Sequence, residues 1–362
     1  MDDLRCFFPI IILLIVLAGC SKLSETPSID DLKNVDNNGV SNSDELSENN
    51  DIQSFFPNNS SDDFHNTSKS PVNDNNAEKY IFFTDPHLYT PNNSFSFDES
   101  WFNNNIPLLK DAYATSSAHF IMCGGDLLNN YDTRSQAIYK ITVFVDRFNS
   151  SFDKFYILAG NHDTNYQGDT FMNSGDTNSC MLSTDELEES MFRGGLSYYY
   201  FDTSTTRNYC FNSCVNWNDN YMDMYLWQQV KWFATDLFAN KKEHISLFSH
   251  IALNNTNYEQ TAFMKNIGSV IRAFNSKNSV EIEGSLFDYS SCVGHIDFIQ
   301  AGHNHKDINN RFCGGVPIIV TTSFSSPEVA TQPTFDYVRV NYDKMIVECT
   351  RFGDGESRVF NI

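Results

Sequence analysis

Beyond residue 78 the chain is a succession of short apolar runs, each cut off by polar residues. Residues 79–84 (KYIFFT) stop at Asp85-Pro86-His87, residues 119–123 (HFIMC) at Gly124-Gly125-Asp126, and residues 155–158 (FYIL) at Gly160-Asn161-His162-Asp163. Such runs, bounded by glycine and polar turn residues, read as buried strands. Segments with helical spacing at 106–117 and 133–148 lie between them. Strand and helix therefore alternate, which predicts parallel strands joined by crossover helices. The second half predicts strands at 196–201, 245–248 and 296–300 and helices at 224–239 and 260–274. Two of these strands end in Ser249-His250 and in Ala301-Gly302-His303-Asn304-His305. Residues 316–321, 334–341 and 344–352 read as strands of a second, more antiparallel layer. The expected class is α/β, a two-layered β-sheet core flanked by helices.

The amino-terminal quarter has a different texture. Residues 1–20 hold an apolar run from Phe7 to Ala18, too short for a comfortable membrane span but suited to a signal-peptide core. Its end, Leu17-Ala18-Gly19-Cys20-Ser21, resembles the lipobox of bacterial lipoproteins, although Asp2 and Asp3 offset the charge of Arg5. That resemblance implies an exported, membrane-anchored lipoprotein, periplasmic or on the cell surface, with lipid carried on Cys20. Residues 21–77 turn to Ser, Asn and Asp, which cannot bury enough surface to offset chain entropy, so a disordered tether is expected. Its root-mean-square reach is roughly 40 Å. The domain proper is then 78–362.

Composition narrows the partners. A 362-residue chain with 41% hydrophobic residues supports a sizeable core. A formal charge of −22 repels phosphate backbones, so nucleic acid is an unlikely partner. Outside Cys6 and Cys20 seven cysteines remain, spaced too irregularly for a structural zinc motif; Cys210 with Cys214 or Cys180 are candidate disulfides in an exported protein.

In an open α/β sheet, ligands bind beyond the carboxyl ends of the strands, so five polar strand ends can form one site. They carry Asp85, His87, Asp126, Asn161, His250, His303 and His305. This oxygen and nitrogen set suits Mn, Fe, Zn, Ni or Co better than Ca or Mg. Seven donors are too many for one ion and fit two sharing a carboxylate.

These residues resemble the motifs of the calcineurin-like metallophosphoesterase superfamily. Asp85-Pro86-His87 matches D-x-H, and Gly125-Asp126-Leu127-Leu128-Asn129 matches G-D-x-x-[DN]. Gly160 to Asp163 match G-N-H-[DE], His250 is the lone histidine, and Gly302 to His305 match G-H-x-H. The resemblance implies a four-layer αββα fold and hydrolysis of phosphomonoesters or phosphodiesters. It implies two divalent ions, one on Asp85, His87 and His305 and one on Asn161, His250 and His303, with Asp126 bridging. A metal-bridging hydroxide is the implied nucleophile and His162 the general acid. Asn129 stands where many members have aspartate, which bears on how His162 is oriented. Asp163 either supports the site or caps a turn.

Two other readings stand beside this one: a membrane-anchored binding lipoprotein with a structural or vestigial metal site, and a nuclease. The complete donor set with His162 weighs against the first and the acidic balance against the second. His65, His119, His244 and His295 fall outside the motifs and read as ordinary surface or strand-edge residues. Specificity is expected in the loops 165–195, 210–223 and 253–259. Arg193 and Arg207 are their candidate phosphate clamps, and Tyr166, Trp217 and Tyr221 could stack on a base or sugar.

Overall fold

A computed structural model describes residues 76–88, 99–129, 132–165, 180–214, 227–252, 262–312, 315–325 and 332–362. The signal segment, the tether up to residue 75, Cys313, Tyr166, Trp217 and Tyr221 lie outside these residues. The first half runs β1 (Ala77–Phe83), α1 (Glu99–Ser116), β2 (Phe120–Cys123), α2 (Arg134–Ser151), β3 (Phe155–Ile157), a 3-10 turn (His162–Thr164) and α3 (Thr184–Phe192). It continues with β4 (Tyr199–Asp202), β5 (Thr206–Phe211), α4 (Trp227–Ala239), β6 (His244–Ser249) and α5 (Ala262–Asn275). The remainder is β7 (Ser279–Ile282), β8 (Ser285–Asp288), β9 (His295–Ala301), β10 (Ile308–Phe312), β11 (Val316–Val320), β12 (Phe335–Asn341), β13 (Ile346–Phe352) and β14 (Arg358–Asn361). No helix among the described residues is long and apolar enough to cross a membrane.

Among the described residues two six-stranded sheets form the core, ordered β14-β13-β12-β1-β2-β3 and β10-β11-β9-β6-β5-β4. The centre of each is parallel: β1, β2 and β3 in the first sheet, β5, β6, β9 and β11 in the second. Strand alternation explains the layers. On β1, Ile81 and Phe83 join a cluster with Phe102, Leu109, Phe144 and Phe148 of α1 and α2. Tyr80 and Phe82 face the other way, into a cluster with Phe248, Phe298 and Ile319 of the second sheet. A third cluster packs Tyr209, Leu247 and Ile299 against Val230, Phe233, Ile267 and Ile271 of α4 and α5. Three apolar interfaces make four layers, αββα. A strand buried on both faces has no polar alternation to show, which is why KYIFFT reads as a continuous apolar run.

The structure departs from the sequence reading in several places. The carboxyl-terminal strands do not build a separate layer: β12 pairs antiparallel with β1 and brings β13 and β14 into the first sheet, while β11 runs parallel to β9 in the second. The parallel centre of the first sheet leaves one edge of β1 open, and an antiparallel return fills it. Helix α1 begins at Glu99, upstream of the expected start, because Phe102 and Asn105 continue the buried stripe of Leu109 and Ala112 through Pro107. Within the loop expected at 165–195, α3 forms on a capping box in which Ser183 and Glu186 exchange hydrogen bonds. Cys210 lies in β5 as a thiol with its side chain between the sheets, which removes both candidate disulfides, since each needed Cys210.

Candidate metal centre

The five polar strand ends do meet. Asp85 and His87 follow β1, Asp126 follows β2 and Asn161 follows β3, all in the first sheet; His250 follows β6 and His303 and His305 follow β9 in the second. The loops are tied across the strand ends: Asp85 N–H donates to Gly125 O (2.9 Å), His87 N–H to Asp126 O (3.1 Å) and Gly302 N–H to His250 O (2.9 Å). Gly160 has to be glycine, since a Cβ there would lie 2.1 Å from Asp126 N and 2.2 Å from its Oδ1. Asp85, His87, Asp126, His303 and His305 all take positive φ, between 41° and 70°. Non-glycine residues hold that conformation at a cost of about 1–3 kcal/mol each, and it clusters where function demands a particular side-chain direction.

The donors fall into two groups. Asp85, His87, Asp126 and His305 each offer an atom within 4.8 Å of the others, and so do Asp126, His250 and His303; Asp126 is common to both. Asn161 joins the second group, its Oδ1 lying 2.8 Å from His303 Nδ1 and 3.1 Å from His250 Nε2. The partition puts Asp85, His87 and His305 on one side and Asn161, His250 and His303 on the other, with Asp126 at their junction.

A cation fits this arrangement. His87 Nδ1 lies 3.0 Å from Leu128 O and His250 Nδ1 2.7 Å from Gly124 O, and a carbonyl partner assigns the proton to Nδ1 in each ring. Both Nε2 lone pairs then point inward. His87 Nε2 meets His305 Nε2 at 2.9 Å, and His250 Nε2 meets Asp126 Oδ2 at 3.1 Å. Asp85 Oδ1 is buried without a hydrogen-bond partner, 3.2 Å from His305 Nε2. So many electron pairs facing one another call for positive charge, and the ionisation equilibria say the same. Burial alone would lower His250, yet Asp126 and Asp85 lift it to about 10. Burial would raise Asp126, yet His250, His162 and His87 hold it well below the usual carboxylate range.

His162 sits apart from both groups. Its Nε2 is 3.9 Å from Asp126 Oδ2, a third of its side chain is exposed, and burial of the rest lowers its pKa against the pull of Asp126. Its backbone N–H donates to Asp126 Oδ1 (2.8 Å), which turns Oδ2 toward His250. Asn129 makes no such bond with it: its Nδ2 donates to His87 O (3.1 Å). Asp163 is a clamp for the neighbouring loop, because its carboxylate accepts from the N–H groups of Gly160 (2.7 Å), Asp126 (3.0 Å), Leu127 (2.7 Å) and Leu128 (3.3 Å). The carboxylate in G-N-H-D was the available signal, but nothing in the string says that it reaches the loop of another strand.

Other candidates do not join. Arg207 lies at the amino-terminal end of β5, opposite the site, paired with Asp202 and Asp236. Arg193 pairs with Asp146 (2.7 Å) on the surface. His244 and His295 both turn Nδ1 toward the buried Asp297 at 3.0 Å, and His119 stands 3.7 Å from Glu78. All three stand at strand starts, away from the metal centre.

Residues 78–307 match the family model of calcineurin-like phosphoesterases, and the chain belongs to that family. Its class is therefore phosphoester hydrolases that work with divalent metals, and the two donor groups are where this chain can hold them. No curated protein sequence matches the chain. Among solved structures, a dimetal phosphatase from Danio rerio shares the fold at a TM-score of 0.51 and 12% identity, over 78% of this chain and 98% of that one. A purple acid phosphatase from yellow lupin (Lupinus luteus) seeds matches at a TM-score of 0.47 and 12% identity, over 79% of this chain and 53% of that one. A putative 5'-nucleotidase from Staphylococcus aureus matches at 0.40 and 14%, over 79% and 54%.

Proposed function

We propose that the protein hydrolyses phosphomonoesters or phosphodiesters at a dinuclear centre held by Asp85, His87 and His305 on one side and Asn161, His250 and His303 on the other, with Asp126 shared. The observation that carries this reading is the membership of Asp126 in both donor groups. Two divalent ions held there would supply Lewis acidity, lowering the pKa of water and offsetting charge on the phosphoryl oxygens. The chain supplies the rest. His162, with a third of its side chain exposed, delivers a proton to the departing oxygen from an Nε2 near the shared carboxylate. Burial of Asp85, Asp126 and His250 excludes water from the back of the site, where charges act most strongly. In the same reading the chain is exported and held to a membrane through lipid on Cys20.

The test is hydrolysis of p-nitrophenyl phosphate and its bis-ester by the purified full chain with added Mn²⁺. We expect turnover that Asp126→Asn abolishes, because both ions lose a ligand. Inertness of the wild type across several metals, or an unaffected Asp126→Asn, leaves a binding role in its place.

A further inference from the structure

The last three strands lie beyond the residues matched by the family model, yet their charged groups reach Asp307, two residues after His305. His305 sits at φ 51°, a conformation that persists in a histidine only when its surroundings over-determine it. Its carbonyl accepts from Thr322 Oγ1 (2.9 Å), and Thr322 N–H donates to Asp307 Oδ1 (3.2 Å). Asp307 receives a two-pronged contact from Arg351 of β13, with Nη1 to Oδ2 at 2.8 Å and Nη2 to Oδ1 at 2.6 Å. The other edge of the same guanidinium holds Asp336 of β12, with Nε to Oδ1 at 2.7 Å and Nη2 to Oδ2 at 3.3 Å. Asp336 is fully buried and also accepts from Arg358 of β14 (2.7 Å) and from Thr321 Oγ1 (2.7 Å). Arg358 in turn lies 3.3 Å from Asp307.

Two carboxylates and two guanidiniums thus balance in charge, with the Arg351 side chain only 2% exposed. A planar guanidinium serving two carboxylates through separate edges fixes both in direction as well as distance. The strands that supply Arg351, Arg358 and Asp336 belong to the first sheet, while His303 and His305 follow β9 of the second. The network is therefore a brace between the sheets at the loop that carries two candidate ligands.

We propose that Arg351, Asp307 and Thr322 are positioning residues for the half-site of Asp85, His87 and His305, holding His305 in its left-handed conformation. This rests on the dinuclear reading above. Residues that orient a ligand typically change metal affinity by roughly 10–100-fold when altered. The test is calorimetric titration of the metal-free full chain with Mn²⁺, recorded with its thermal midpoint. Wild type should take two ions. Asp307→Asn and Thr322→Val should keep one at unchanged affinity and bind the other roughly 10–100-fold more weakly, and Thr322→Ser, which retains the hydroxyl, should restore it. Should Asp307→Asn fail to fold, Thr322→Val decides, since it removes no charge. Wild-type affinity at both sites in folded Thr322→Val, equal weakening of both, or no recovery in Thr322→Ser overturns the proposal. A wild-type chain taking fewer than two ions overturns the dinuclear reading itself, and this one with it.

Discussion

His162 and His250 are both drawn toward Asp126 Oδ2, yet their environments separate their work. His250 is fully buried, 3.1 Å from that oxygen, with Nδ1 committed to Gly124 O, so it can only face inward. His162 lies 3.9 Å away with part of its ring in solvent, so it can face a substrate. Removing it should leave every proposed ligand in place. His162→Ala is expected to keep two metal equivalents and to lose about 10²–10⁴-fold in kcat on an ester with a poor leaving group such as phenyl phosphate. The loss should be much smaller with p-nitrophenyl phosphate, whose leaving group needs little help. Metal analysis with kcat on the two esters checks this; equal losses on both would remove the general-acid role.

At the scale of elements, the parallel strands and the polar residues at their ends were readable from the string because two-sided burial and abrupt polar stops are local signals. All seven candidate ligands stood out that way, and the structure brings them within reach of one another. What stayed hidden depends on contacts far apart in sequence. The pairing of β12 with β1 joins residues such as Ile81 and Tyr337, and nothing in either stretch names the other. The β7–β8 hairpin, which turns at Glu283 and Gly284 with φ of 48° and 73°, also went unread because its strands are short and half-exposed. Asp163 shows the same limit, because its four donors come from two loops. The packing of those loops is itself testable. In Gly160→Ala the added carbon would press on the backbone N of Asp126 and on its side-chain Oδ1, which the His162 N–H holds. Overpacking of this kind costs about 1–3 kcal/mol, and here relief requires moving the shared carboxylate. We expect a lower thermal midpoint together with loss of Mn²⁺ binding, measured by differential scanning calorimetry and metal analysis. Retention of both ions at wild-type affinity would show that the loop contact is not what seats Asp126.

For the molecule as a whole, the centre makes folding stability depend on pH in a way that bound metal should largely cancel. His250 is raised from an ordinary value of 6.5 to about 10, so its contribution is complete below 6.5 and disappears as pH rises through about 10. Asp163 acts in the same sense. Burial and the charge of Asp126 push its carboxyl up to about 7, so stability falls as pH rises through that value. Asp85 and Asp126 act in the opposite sense at lower pH. Burial would raise both, but the surrounding histidines hold them low, so their contribution is lost only when pH drops through the acid range. The metal-free protein should therefore be most stable in mildly acid solution and lose stability steadily from pH 6 to pH 10. Divalent ions substitute for the proton on His250 and offset the Asp126 charge felt by Asp163, so the saturated protein should show little of this slope. At a free ion concentration 100 times Kd, binding to the folded state alone adds about 2.7 kcal/mol. Because protons and metal compete for the same lone pairs, that increment should shrink toward pH 5. Thermal unfolding of the full chain between pH 5 and 10, with chelator and with excess Mn²⁺, measures both curves. A chelated protein whose midpoint is flat or rises across pH 6–10 would mean that His250 is not held charged by Asp126 and Asp85, and the electrostatic case for a cation between them would fail with it.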